Sequence, residues 1–436
     1  MATLATGMES SPLASRKGKF AYTCLLLLSV LYFARPEDFI PGLGLIPVAK
    51  IVGGLAFIAL IFSYLSGSGK IKMPFENKLL LALTFWLLLS VPFAYWRGGA
   101  LHTITDRFIK GVIAALLVSL LIKDWKQLKR LLWVQAASVC FMTIVSLFLH
   151  LGQNGRMGGV LGGVFQNPND LAINIALNWP LCLAFLMAAR GPLKKMLWFV
   201  GIMAMMYGVM RTYSRSGFLA LIAAVVLCLW EFGVRGRRFH LLFAAGILGM
   251  AALIAAPHNY SARIESIFED DKVQGSGDRG SREARRELLV NSLNMALHNP
   301  LVGVGPGNFE VLGGTWQVAH NTFTELAAEG GFPALILFLW ILQRAFVNLK
   351  AVRKSELYQQ DKDVRLFTSG LWVSIPAYMI GAFFSSTEYN MYPYFVVAYT
   401  SALYYIACVV PKMQARAVTP KPLRPAERLE REYAKV

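Results

Sequence analysis

Apolar residues in this chain gather into runs of roughly 15–22, about what an α-helix needs to cross a ~30 Å hydrocarbon layer. The runs fall near residues 20–34, 46–66, 78–96, 107–123, 131–151, 170–189, 196–211, 216–234, 240–256, 321–344, 366–386 and 392–411. This pattern predicts an all-α, polytopic integral membrane protein with about twelve transmembrane helices. A polar tail at 1–19 precedes the spanning region of 20–411, and a Pro- and charge-rich tail at 412–436 follows it. One polar stretch is much longer than the others. Between Ile254 and Gly331 lies an outside loop, 257–320, that organises the rest of the reading. Pro257 to Gly280 is polar, with an acidic patch at Glu269, Asp270 and Asp271. From Arg282 to His298, residues Leu288, Leu289, Ser292, Met295 and Ala296 recur at helical spacing, so an amphipathic helix is expected there. Pro300 ends it, Gly303, Gly305 and Gly307 form a tight turn, and His320 opens the next span.

Other breakers refine the picture. Pro36 and Pro41 mark a non-helical connector, whereas Pro180 and Pro376 lie inside spans, where neighbouring helices can satisfy the freed carbonyls. The glycine-rich segment from Arg156 to Ala172 reads as an outside loop re-entering the membrane, with Asn169 and Asp170 suited to capping the next helix.

Composition agrees with the pattern and excludes several classes. With 436 residues, 56% hydrophobic and 16% charged, the chain is too apolar for a soluble globular protein. The net charge of +18 sits mostly in short loops between spans: Lys70/Lys72, Lys123 to Arg130, Arg190 to Lys195, Arg235 to Arg238, Arg344 to Arg365 and the tail from Lys412. Such alternation follows the positive-inside rule and places both termini in the cytoplasm, while a nucleic-acid binder would need a soluble basic face. Cys24, Cys140, Cys182, Cys228 and Cys408 all fall in apolar runs, without disulfide or metal spacing. No cleavable signal peptide is evident.

The candidate chemistry lies at the outer boundary. Arg211 and Arg215, in MRTYSRSG, stand at the end of an apolar span, where a charge must be paired or face water. Arg282, Arg285 and Arg286 crowd the first turns of the amphipathic helix. Guanidinium forks match phosphate oxygens, so a cluster of them suits a diphosphate. Physics alone barely separates the three helix arginines. The turn Gly303-Val304-Gly305-Pro306-Gly307 can either present N–H groups to an anion or dock the helix on the bundle. His320 has the side chain of a general base near neutrality, and Asn321, Glu325 and Glu329 beside it suggest a polar cavity. With no HExxH, no DxD and no Cys/His cluster, no metal or cofactor is expected.

The stretches GRMGGVLGGVFQNPNDLA, TYSRSGF, REARRELLVNSLNMALHNPLVGVGPGNF and AHNTFTELAAEGGFPALILFL, in this order, resemble the O-antigen ligase / O-antigen polymerase family of bacterial membrane glycosyltransferases. With the hydropathy pattern the resemblance runs from about Phe20 to Val410. It implies metal-independent transfer of a glycan from undecaprenyl diphosphate to an acceptor hydroxyl at the periplasmic face of the inner membrane. The acceptor is the lipid A core in ligases, a carrier-linked repeat in polymerases and a pilin-like protein in related enzymes. Ligases of the family tend to carry an arginine four residues before a leucine and a histidine eleven before a glycine. Arg285 with Leu289 and His320 with Gly331 match both spacings, whereas Arg286 is followed at that distance by Val290. The resemblance thus assigns Arg215 and Arg285 to the diphosphate, with Arg286 and Arg282 as neighbouring candidates. His320 deprotonates or aligns the acceptor, and Arg211, Asn321, Glu325, Gly303, Gly305 and Gly307 support the site. A ligase is the favoured expectation. The alternatives are a repeat-unit polymerase and, from another class, an anionic-solute transporter or flippase.

Overall fold

The computed structural model describes residues 12–38, 40, 47–65, 73–150, 152–153, 155–159, 165–239, 276–313 and 317–418. The first half of the chain forms helices α1 (Pro12–Phe33), α2 (Val48–Leu65), α3 (Phe75–Ser90), α4 (Arg97–His102), α5 (Ile109–Leu121), α6 (Trp125–Phe148), α7 (Pro168–Ala188), α8 (Pro192–Thr212) and α9 (Arg215–Cys228). The second half forms α10 (Ser276–His298), α11 (Phe309–Leu312), α12 (Thr322–Val352), α13 (Glu356–Gln360), α14 (Lys362–Ala382) and α15 (Met391–Tyr404). Among the described residues, the one departure from all-α is a hairpin of two-residue strands, Gly152–Gln153 against Arg156–Met157, at the start of the segment expected to be a loop.

Among the described residues, seven helices are long and apolar enough to cross a membrane: Phe75–Phe93, Trp125–Phe148, Pro168–Ala188, Pro192–Thr212, Arg215–Val234, Thr322–Val352 and Met391–Gln414. Lys19–Phe33 and Val48–Phe62 are shorter apolar helices. The sequence suggested about twelve spans, and two of those runs fold as helices of mixed character. Arg97 to Leu121 is interrupted by a π-helical turn, Thr103–Phe108, that carries Asp106 and Arg107. Helix α14 begins with Lys362, Asp363 and Arg365. The expected span at 240–256 and the acidic patch at 269–271 lie outside the described residues.

Helix α7 is the central post. All its side chains from Leu171 to Cys182 are buried, and α8, α9 and α14 pack around it. Near-continuous apolarity is what a helix surrounded on all sides requires. Met391 to Leu403 of α15 is equally buried, between α5 and α12. At one end of the bundle the buried Glu231 receives Arg353 at 2.9 Å and Arg235 at 3.2 Å, and Lys129 pairs with Asp363. Three of the basic clusters seen in the sequence therefore share this end. The first turns of α9 and α12 point to the other.

Helix α12 is broken at Gly331, whose backbone (φ 74, ψ 174) is left-handed. The freed Gly330 carbonyl accepts the Trp86 indole N–H at 2.9 Å, and Phe332 N donates to Pro300 O at 2.9 Å, so both strays are satisfied. A Cβ on Gly331 would stand 1.9 Å from Leu301 O. Gly331→Ala is therefore expected to cost on the order of 1–3 kcal/mol from the backbone alone, before the clash. A thermal unfolding midpoint in detergent equal to that of the parent protein would contradict this reading of the break.

Candidate functional site

At the end away from the Glu231–Arg353 bridge, a hydrogen-bonded chain joins the starts of three helices. Ser214 caps α9 by accepting from Gly217 N at 3.1 Å, and its hydroxyl donates to Asn169 Oδ1 at 2.7 Å. Arg156 reaches the same Asn169 oxygen at 3.2 Å and Thr212 O at 3.0 Å, which ties the hairpin to the turn between α8 and α9. Next to Asn169, Asp170 accepts from Ser385 Oγ at 3.3 Å. Ser385 O in turn accepts from Thr322 N at 3.0 Å and Thr322 Oγ1 at 2.7 Å. Thr322 is the first residue of α12, two positions after His320. The N-terminus of α9, where Arg215 stands, and the His320 segment are thereby fixed to one framework. Tyr213 just before it turns the chain with φ +48. Arg215 is half-buried. Arg211, in the last turn of α8, lines a cleft of about 180 Å³ with His150, Ser146 and the same Arg156.

His320 is held from both sides. Ala319 N donates to Glu325 Oε2 at 2.7 Å, and Asn321 caps α12 by accepting from Phe323 N at 3.0 Å and Thr324 N at 3.2 Å. Between them His320 adopts φ +54, a left-handed conformation uncommon outside glycine and costly unless its surroundings enforce it. Its imidazole is half-buried. Burial first, and the Arg285 charge second, lower its pKa from the ordinary 6.5 to about 4. The ring is thus neutral at physiological pH, with a lone pair free to accept a proton.

Arg285 reaches this place because of how α10 docks. One turn further on, Leu288 is 4% exposed and packs with Phe309, Ala319 and Ala328, with Met295 at the margin. Ser292 Oγ lies 2.9 Å from Thr324 Oγ1, pinning the same face. This face carries the helical spacing read from the sequence, although the helix begins earlier, at Ser276. Arg285 is half-buried and electrostatically coupled to His320, while Arg286, a further 100° round the helix, is exposed. The Arg282 side chain lies outside the described residues.

The glycine turn spends its N–H groups inside the protein. Val304 N donates to Ala328 O at 2.8 Å and Gly305 N to Glu329 O at 2.9 Å. Gly307 N and Phe309 N donate to the Glu329 carboxylate at 2.7 and 3.0 Å. The carboxyl group cradled by this turn belongs to a side chain of α12. Gly303 (φ +67) is required by contact as well as conformation, since a Cβ there would meet Glu329 C at 2.3 Å.

Two groups went unnoticed in the sequence. Arg107, on the π-helical turn, lies near Glu310 of α11: burial raises the Glu310 carboxyl and this guanidinium opposes the rise. Glu388, in the connection between α14 and α15, joins Glu325 and Glu329, and one carboxylate oxygen from each lies within 4.8 Å of the others. Burial, then the Glu329 charge, pushes the Glu388 carboxyl up to about 8. No pattern predicts this trio, because Glu388 stands 59 positions after Glu329 and meets it only through the packing of α15 on α12. Among the described residues it is the group whose donor set can hold a metal ion.

Residues 199–339 match the family model described as O-antigen ligase. The matched segment runs from α8 past the break in α12 and contains Arg211, Arg215, Arg285, the glycine turn and His320. No curated protein matches the chain.

Proposed function

From a membrane chain that carries an O-antigen ligase family domain at residues 199–339, we propose a glycosyltransferase that moves a glycan from undecaprenyl diphosphate to a hydroxyl of the lipid A core. The observation that carries this reading is a neutral, half-buried His320 within reach of the Arg285 charge, on the same framework as the start of α9 where Arg215 stands. In this reading that end of the bundle faces the periplasm of the inner membrane, and both terminal tails, 1–19 and 412–436, are cytoplasmic.

The chemistry follows from the charges. The donor's anomeric carbon already bears a diphosphate leaving group. The acceptor oxygen attacks that carbon, its proton passes to the imidazole of His320, and the bond to the diphosphate oxygen breaks. Negative charge then grows on the leaving diphosphate, where Arg285 and Arg215 stabilise it with fixed, permanently charged donors. Attack on the face opposite the leaving group inverts the anomeric configuration. The structure also suggests how a histidine of such low basicity can serve. A bound diphosphate offsets the Arg285 charge, so donor binding raises the proton affinity of the base when it is needed.

A pH dependence follows from this chemistry. In the free enzyme His320 is the base, and its lowered pKa means it is protonated only in acid. The profile of kcat/KM is expected to be flat from neutrality down through pH 6 and to fall as pH approaches about 4. A fall centred at the ordinary histidine value of about 6.5 would show a solvated imidazole and contradict the site. The reading itself is tested with purified protein, a lipid-diphosphate glycan and lipid A core. Absence of glycan on the acceptor would remove it.

A further inference from the structure

Five glutamates are buried among the described residues: Glu76, Glu231, Glu325, Glu329 and Glu388. Two of them have cationic partners. Arg344 meets Glu76 at 3.1 Å, and Arg353 meets Glu231 at 2.9 Å. The other three share one place, and among the described residues no lysine or arginine forms an ion pair with any of them. They are 3%, 0% and 2% exposed. Three carboxylates in a medium of low dielectric repel one another and forgo hydration, which a protein relieves with bound protons or with a cation.

Hydrogen bonding supplies part of the compensation. The Glu325 carboxylate accepts from Ala319 N and from the Ser386 hydroxyl. That of Glu329 accepts from Gly307 N, Phe309 N and the Tyr389 hydroxyl. These five donors are aimed at carboxyl oxygens of the two side chains. Glu388 differs, since its Oε2 is buried and has no hydrogen-bond partner. Native proteins rarely leave such an oxygen unsatisfied, so this acceptor calls for a partner.

We propose that Glu325, Glu329 and Glu388 form a site for a divalent cation with hard, oxygen-seeking chemistry, Ca²⁺ in preference to Mg²⁺. One oxygen from each residue lies within 4.8 Å of the others, the spread allowed by two ligands at about 2.4 Å on opposite sides of one Ca²⁺. Mg²⁺ demands a tighter octahedron at about 2.1 Å and keeps several waters, whereas these side chains are almost wholly shielded from solvent. The ion joins three segments of separate origin: the glycine turn through Glu329, the residue preceding His320 through Glu325, and the 385–389 connection through Glu388. Its role is to brace the His320 segment. The proposal stands independently of which glycan is transferred.

The test uses the full chain in detergent, stripped with a chelator and then titrated with Ca²⁺ or Mg²⁺ while calorimetric binding and the thermal midpoint are followed. The parent protein is expected to bind one Ca²⁺ and to unfold at higher temperature with it, with Mg²⁺ weaker by at least about tenfold. Glu388→Gln keeps the shape and removes the charge, and is expected to weaken Ca²⁺ binding by at least about tenfold. Equal Ca²⁺ responses in the two proteins would overturn the proposal. So would a parent protein that binds no Ca²⁺ while Glu388→Gln is the more stable in chelator, the result expected if a proton balances the pocket. If Glu388→Gln does not fold, ⁴⁵Ca²⁺ binding to the parent protein decides alone: saturable retention supports the site and none refutes it.

Discussion

Replacing His320 with alanine is expected to reduce glycan transfer by about a hundred- to ten-thousand-fold, the range spanned by general acid–base catalysis, while leaving the protein inserted and folded. The fold should survive because the segment is held by its neighbours: Glu325 takes Ala319 N, and Asn321 caps α12 with its own side chain. Alanine also tolerates the left-handed backbone (φ +54) less well than histidine, so a small loss of stability accompanies the loss of rate. Two measurements separate these effects. The thermal midpoint should move little and donor binding should persist, whereas product formation disappears. Transfer within threefold of the parent would show that the imidazole takes no proton in the reaction.

Arg285→Ala is expected to lower kcat/KM for the lipid-diphosphate donor by roughly a hundred- to a thousand-fold, as for removal of a single preorganised charge-stabilising donor. The same substitution carries a second signature that general damage to the fold would not produce. Burial comes first among the causes that hold the His320 pKa low, and the Arg285 charge is the second. Removing the charge should raise that pKa part of the way from about 4 towards the ordinary value, and the acid limb of the pH profile should shift upward with it. Arg285→Lys keeps the charge and loses the fork, so it should preserve the low pKa yet bind the diphosphate less well. An unmoved acid limb in Arg285→Ala would mean that the two groups do not communicate. Arg215→Ala should weaken donor use as well, without moving the limb. If both alanine variants used the donor normally, the diphosphate clamp would be refuted.

Which parts of this arrangement could be read from the residues follows from the range of the forces involved. The all-α membrane class was legible because lipid imposes a length and an apolarity on each helix separately, whereas the number of spans was not: seven helices qualify among the described residues, against about twelve expected. The docking face of α10 was legible for a similar reason, since Leu288 and Met295 mark it with local periodicity. The choice between Arg285 and Arg286 was less so. Family spacing favoured Arg285, but physical separation required the rotation of α10 on α12, a tertiary fact. The glycine turn had two readings because glycine permits many backbone conformations and names no partner. Its partner is Glu329, placed by the break at Gly331. Glu388 was not legible at all. Nothing in TEYNMYP marks an acid that will be buried against Glu325 and Glu329. A carboxyl group that joins a helical pair from a distant connection follows no spacing rule.

The chemistry proposed for this membrane face is the joining of a diphosphate-linked glycan to the lipid A core through Arg215, Arg285 and His320. Its most direct test is one reaction containing purified protein, an undecaprenyl-diphosphate glycan and two competing acceptors, lipid A core and carrier-linked repeats. Glycosylated lipid A core is expected, formed with inversion at the anomeric carbon and abolished by His320→Ala. Extension of the carrier-linked repeats alone, with the core left unmodified, would contradict it.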